Sequence, residues 1–184
     1  MFTEQEKQIL RNTVTESIKY GLEHKKVMKI DPSIYPANLQ KHGASFITIE
    51  INGKLRGCIG CLEACQPLIL DIVYNSYCAA FCDPRFPPLT KSEFSKISKH
   101  ISILSCAEPI IFSSEEDLLS KIRPKIDGLI LTDQGHCGTF LPSVWESLHT
   151  PKDFLECLKL KAGFSKDYWS DTIKIERYTV ELIT

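Results

Sequence analysis

An Asn52-Gly53 dipeptide between two apolar-rich runs is the feature that most narrows what this chain can fold into. Asn-Gly accepts the positive φ that both central positions of a two-residue hairpin turn demand, so Phe46 to Ile51 and Lys54 to Gly60 are expected to pair as antiparallel strands. Counting back from the turn sets Ile51 opposite Lys54, Ile49 opposite Arg56 and Ile47 opposite Cys58, all on one side, because side chains alternate with period two. Arg56 and Cys58 are then roughly 7 Å apart on one face. In a partly desolvated site a guanidinium at that range favours the thiolate of Cys58. Gly57 and Gly60 weaken the strand but permit close approach by a ligand or a second backbone. The same residues also suit a plain core hairpin in which Arg56 snorkels to water and Cys58 packs.

With 184 residues, 43% hydrophobic and 24% charged, the chain can bury a sizeable core as one domain or two small lobes. The net charge of −1, with lysines and arginines spread along the sequence, lacks the footprint of a general nucleic-acid binder. The first residues have no basic and apolar leader pattern and no later run reaches the length of a membrane span, so a cytoplasmic protein is expected. In that compartment the eight cysteines are expected as free thiols. Cys58, Cys61 and Cys65 have a metal-like spacing, but a zinc site would need a fourth ligand such as His136 or Cys137. A Cys58/Cys61 redox pair would need a helix N-terminus where the strand continues. Neither a metal nor a cofactor is expected.

Thr3-x-x-Glu6 reads as a capping box, and Ile9, Leu10, Val14, Ile18 and Leu22 follow at helical spacing, predicting a helix over 4–23. Residues 24–43, with Pro32 and Pro36, read as a connection. The apolar run from Leu68 to Cys82 is too long for a strand and suits a buried helix. Its polar residues Asp71, Asn75, Cys78 and Cys82 fall on one stripe, expected to be sheltered and to wall a cleft. Asp83-Pro84-Arg85-Phe86-Pro87-Pro88 then forbids continuation. Ile101 to Cys106 alternates as a strand, Glu115 to Lys121 is a short helix begun by Ser113 or Ser114, and residues 129–133 and 136–141 form a second hairpin. Pro142 opens another helical stretch, Thr150 caps a helix that Gly163 ends, and 172–184 alternates as a closing strand. Two hairpins, each followed by proline and helix, suggest an internal duplication, and the element order predicts an α+β fold with packed helices on antiparallel sheet.

Two groupings carry possible chemistry. His136 is a candidate base for a Cys58 nucleophile, or else a solvated turn residue facing Asp133. The Asp83-Arg85-Phe86 turn offers a carboxylate, a second cation and an aromatic face. With Arg56 it could border a cleft for a phosphate, carboxylate or nucleotide, or Asp83 and Arg85 could simply pair.

Leu55-Arg56-Gly57-Cys58-Ile59-Gly60, Ala79-Ala80-Phe81 with Asp83-Pro84-Arg85-Phe86-Pro87-Pro88, Glu108-Pro109-Ile110, Asp127-Gly128-Leu129-Ile130-Leu131 and Phe140-Leu141-Pro142-x-x-Trp145 stand in the order seen in the AMMECR domain family. This is the family called AmmeMemoRadiSam system protein A in prokaryotes, and the resemblance runs from about residue 5 to 182. It implies a single AMMECR domain over 1–184, built on antiparallel sheet as two unequal lobes that the sequence cannot separate. It also implies association with a Memo-like protein and a radical-SAM protein in modifying a substrate, without naming a reaction. The family's six-residue motif maps onto Leu55 to Gly60. The site is therefore expected to use Cys58 and Arg56 for chemistry, with Leu55, Gly57, Ile59, Gly60, Asp83, Arg85 and Phe86 for binding. Cys61, Cys65, Cys82 and His136-Cys137 depart from the family's usual residues, so no role for them is carried over. Two roles follow: a thiol-using or transfer component, or a noncatalytic adaptor or substrate-presenting module whose motif is structural.

Overall fold

The structure, a computed structural model, describes residues 1–184. In chain order its elements are α1 (Glu4–His24), a 3-10 turn (Pro32–Ile34), α2 (Ala37–Gln40), β1 (Ala44–Ile51), β2 (Lys54–Gly60), α3 (Leu68–Phe81), α4 (Lys91–Phe94) and β3 (Ile97–Leu104). They continue as β4 (Glu108–Pro109), α5 (Glu115–Lys121), β5 (Gly128–Asp133), β6 (His136–Phe140), a second 3-10 turn (Pro142–Glu146), α6 (Pro151–Lys161), β7 (Lys174–Tyr178) and β8 (Val180–Ile183). The fold is α+β, with two four-stranded sheets ordered β2-β1-β3-β8 and β4-β7-β5-β6. The chain divides into a larger unit, Met1–Leu104 with Glu181–Thr184, and a smaller one, Ser105–Val180.

In the larger unit the Thr3 hydroxyl and the Glu6 carboxylate satisfy each other's backbone amides, so α1 starts where the capping box places it. Leu10, Val14 and Ile18 of α1 meet Ile69 and Ile72 of α3 and Ile47, Ile49 and Ile101 of the sheet in one core. Asn52 and Gly53, at φ 54 and 71, close the expected hairpin. Its register is not the expected one. A bulge between Ile49 and Glu50 leaves Arg56 without an opposite residue, and beyond it Gly57 pairs with Ile49 and Cys58 with Thr48. One extra residue on β2 moves every later pairing by one, so Cys58 does not face Ile47.

The polar stripe of α3 is only partly sheltered. Asp71, Asn75 and Cys78 are buried, whereas Cys82, at the helix end, is exposed. The buried part walls no cleft: Ser45 of β1 fills the space, donating to Asp71 at 2.6 Å, while Asn75 donates to the Ser45 carbonyl at 3.1 Å and to Asp71 at 2.9 Å.

The smaller unit repeats the connectivity of the larger. Helix, hairpin, helix and a third strand antiparallel to the first hairpin strand follow one another as α1-β1-β2-α3-β3 and again as α5-β5-β6-α6-β7. The second hairpin turns at Gln134 and Gly135, both with positive φ, like the first. Leu129, Leu131 and Ile175 of its sheet pack on Phe154, Leu155 and Leu158 of α6, with Trp145 stacked on Phe154 at 4.0 Å. Two expectations need correction here. Residues 172–184 form two strands in different sheets, not one, because Thr179 is spent on Ser105 through two hydrogen bonds of 2.9 Å. The stretch from Pro142 is helical as expected, a 3-10 helix over Pro142–Glu146. Finally, β3 begins at Ile97, ahead of the alternation that marks its apolar half, because Lys99 holds a core-side position there.

Candidate site at the edge of the first sheet

β2 is an edge strand, so half of its backbone groups lack a sheet partner. The chain supplies one. As α3 ends at Cys82, the following turn returns Asp83 and Arg85 to that edge: Asp83 Oδ2 accepts from the Cys58 amide at 2.8 Å, and Arg85 Nη2 donates to the Cys58 carbonyl at 3.1 Å. Arg85 also holds Asp83 through Nε at 2.9 Å and Nη2 at 2.7 Å. Asp83 is 5% exposed, and burial alone would raise its pKa. The Arg85 guanidinium, helped by the amides of Cys58 and Arg85, instead holds it well below the usual carboxylate range.

Arg56 is answered in the same way. Its Nε and Nη2 donate to the two oxygens of Glu93 at 2.8 and 3.2 Å, a bidentate pair. Glu93 is fixed in turn by the Thr90 amide and hydroxyl, and Arg56 first, then Thr90, lower its pKa to about 2. Phe86 lies under both guanidinium groups, 5.8 Å from that of Arg56 and 5.6 Å from that of Arg85.

The structure thus gathers Arg56, the Cys58 backbone, Asp83, Arg85 and Phe86 into one cluster, as the sequence suggests, but its two cations already carry carboxylate partners. Glu93 is the residue sequence reading misses, and Thr90-x-x-Glu93 is a capping-box pattern that could have drawn attention to it. The remaining motif residues do not join this cluster. Leu55 is exposed, Ile59 packs against the core and Gly60 pairs with Phe46. A Cβ on Gly57 would run into the Ala79 carbonyl of α3, so glycine is what lets the helix lie on the strand.

The Cys58 side chain belongs to a different surface. Its Sγ is 3.3 Å from Thr48 Oγ1, on the sheet face turned away from Ile47 and Ile49. Across β1 from Cys58, His100 of β3 pairs with Thr48 and sits 3.5 Å from Glu50. The face carries a thiol, a hydroxyl, an imidazole and a carboxylate in neighbouring positions, but Cys58 and His100 are two strand spacings apart, about 10 Å. His136 belongs to the smaller unit, where its ring nitrogen lies 3.2 Å from the Ala162 carbonyl. Asp133 pairs with His136 across the strands, as expected, but its carboxylate is taken by Tyr168, Ser170 and Thr172. All eight cysteines are free, and no group of three or more His, Cys, Asp or Glu side chains is gathered to hold a metal ion.

The sequence model of the AMMECR1 family matches residues 11–183. A protein of Thermotoga maritima is 37% identical over 166 residues, covering 89% of this chain and 88% of its own. Another from Thermofilum pendens is 31% identical over 190 residues, covering 95% and 87%. The crystal structure of an uncharacterized protein from Pyrococcus horikoshii superposes with a TM-score of 0.88 at 28% identity, covering 98% of this chain and 92% of that one.

Proposed function

This chain belongs to the AMMECR1 family, and we propose that it works beside a Memo-like protein and a radical-SAM protein in modifying a substrate, as a noncatalytic presenting module. The partners rest on the family resemblance. The role rests on one observation: both arginines of the motif region are already paired with carboxylates, Arg56 with Glu93 and Arg85 with Asp83. An anion would have to displace a bidentate partner to use them. The motif is then a clasp that stiffens an edge strand, and the surface it stiffens is the one offered to a partner. Eight free thiols support a cytoplasmic setting, and no helix is long and apolar enough to cross a membrane.

A second reading, with Cys58 as nucleophile or carrier, has its own support in a half-buried sulfur 3.3 Å from the Thr48 hydroxyl and beside the Arg85 guanidinium. Alkylation of the reduced protein near neutral pH separates the two, read peptide by peptide. A presenting module should label Cys58 more slowly than exposed Cys82, and Cys58→Ser should keep both partner binding and substrate modification. Faster labelling of Cys58, with modification lost but partners retained in Cys58→Ser, sinks the presenting reading in favour of the thiol.

A further inference from the structure

The connection from β2 to α3 folds back on itself and carries two thiols. Cys61 extends the β1–β2 pairing by one residue, its amide donating to the Ser45 carbonyl at 3.2 Å. At the other end of the loop the Gly43 amide donates to the Gln66 carbonyl at 3.2 Å. Gly43 and Ser45 stand two residues apart where the chain enters β1, about 7 Å along an extended backbone, so the loop closes near where it opens and Cys65 is returned toward Cys61. Glu63, midway between them, touches both. Its amide donates to Cys61 Sγ at 3.4 Å, its carboxylate accepts from Cys65 Sγ at 3.6 Å, and its carbonyl accepts from the Cys65 amide at 3.0 Å. Both cysteines are exposed.

The cysteines nearest to this pair in sequence are not set up to compete with it. Alternation along β2 puts Ile59 and Cys61 on one face and Cys58 on the other. Cys78 and Cys82 are one turn apart on α3, with the Cys82 amide bonded to the Cys78 carbonyl at 2.8 Å, and Cys78 is buried. A helical turn holds Cβ atoms about 5–6 Å apart, whereas a disulfide needs roughly 3.5–4.5 Å. The backbone between Cys61 and Cys65 is neither helix nor strand, so it has no such fixed spacing.

We infer that Cys61 and Cys65 are a reversible oxidation site, closed to a disulfide by a hydroperoxide, with Glu63 as the proton acceptor between them. Cys61, which has the Glu63 amide aimed at its sulfur, meets the oxidant. It loses its proton to solvent, its sulfur attacks the outer peroxide oxygen, the O–O bond breaks, and the alcohol or water leaves with a proton, giving a sulfenic acid. Cys65 then attacks the Cys61 sulfur while its proton passes to the Glu63 carboxylate, and the S–O bond breaks with loss of water. Two thiols have given up two electrons and the peroxide has taken them. Desolvation and then Glu63 raise the Cys65 pKa, so this thiol keeps its proton until that second step. A site of this kind, exposed and opened again by thiol exchange, suits a reducing compartment in which lasting structural disulfides are rare.

The test treats the reduced full chain with stoichiometric hydrogen peroxide, blocks the remaining thiols with iodoacetamide, and digests without reductant, using trypsin and a protease that cuts after glutamate. Cleavage after Glu63 opens the loop, so the bridge should join the peptide Gly57–Glu63 to one that begins at Ala64, and fragmentation should place it on Cys61 and Cys65. Reductant should separate the two peptides. Cys65→Ser should stop at a sulfenic acid on Cys61 that dimedone labels, and Cys61→Ser should lose the bridge. Glu63→Gln, followed by the loss of two hydrogens from the intact mass, should close the bridge severalfold more slowly. The wild-type map needs no variant, so it keeps the test sound if one misfolds. A bridge placed mainly on Cys58 or between Cys78 and Cys82, or oxidation of Cys61 and Cys65 no faster than exposed Cys106 and without a bridge, overturns the proposal.

Discussion

Asp83 and Cys58 are joined side chain to backbone, with the carboxylate 2.8 Å from the amide nitrogen. An edge strand normally leaves such an amide to water or to another chain. Here the turn that ends α3 covers it, and Arg85 covers the carbonyl of the same residue. Helix, turn and strand therefore become one mechanical unit, and the backbone of Cys58 is held at both its amide and its carbonyl.

Asp83→Ala should release that edge. The Cys58 amide loses its acceptor and Arg85 its partner, at a cost of about 1–3 kcal/mol, with a smaller loss for Asp83→Asn, which keeps an oxygen. Amide hydrogen exchange at Cys58 should accelerate in Asp83→Ala. Unchanged protection there would mean that the clasp does not guard the strand.

Gly57→Ala should cost about 1–3 kcal/mol or more, because the added methyl meets the backbone carbonyl of Ala79, which cannot rotate away like a side-chain tip. Gly53→Ala should also destabilise, for a different reason: the turn has open space around it but holds φ at 71°. Chemical shifts should separate the two, moving along α3 in the first variant and staying within the turn in the second. Shifts confined to β2 in Gly57→Ala would show that strand and helix are not in hard contact.

Much of the fold was legible because local signals agreed. Thr3-x-x-Glu6, Asn52-Gly53, the Leu68 run and Thr150-Pro151 each mark an element boundary by a mechanism acting over a few residues. The bulge at Arg56 left no such mark: it is a register choice settled by packing Gly57 on α3, and it moved Cys58 off the face expected for it. The site was half legible for the same reason. Asp83, Arg85 and Phe86 are close in sequence to the end of α3, whereas the Arg56–Glu93 pair joins residues far apart in the chain. Periodicity gives a face, not a distant partner.

Asn75→Leu separates a buried network from a cleft wall. From the stripe alone, a cleft position should lose function with little change in stability. The structure reverses this, because the Asn75 amide serves the Ser45 carbonyl, the Ser45 hydroxyl and Asp71. Leucine removes those donors and leaves a carboxylate short of hydrogen bonds in a buried place, so about 1–3 kcal/mol should be lost. A melting temperature equal to the parent would place Asn75 outside any essential network.

Acid stability should be set by carboxylates whose contributions run in opposite directions with pH. Glu93 is held at about 2, from an ordinary 4.5, first by Arg56 and then by Thr90. Asp83 is lowered from 3.8 by Arg85 in the same manner. Groups depressed by folding bind fewer protons folded than unfolded, so the stability they contribute is complete above about 4.5 and disappears as pH falls toward 2. Asp71 acts the other way, because burial raises it despite hydrogen bonds from Ser45, Gln66 and Asn75. Its ionised form is the costly one, so its penalty fades as pH falls through the raised value to the ordinary 3.8. Melting temperature measured from pH 7 to pH 2 at low salt should therefore fall mainly below about 4.5. Glu93→Gln should start lower at pH 7 and fall less, whereas Asp71→Asn, which removes the opposing contribution, should make the acid fall steeper. A Glu93→Gln curve parallel to that of the parent between pH 4.5 and 2 would remove the Arg56–Glu93 pair from the pH dependence and leave Asp83 to account for it alone.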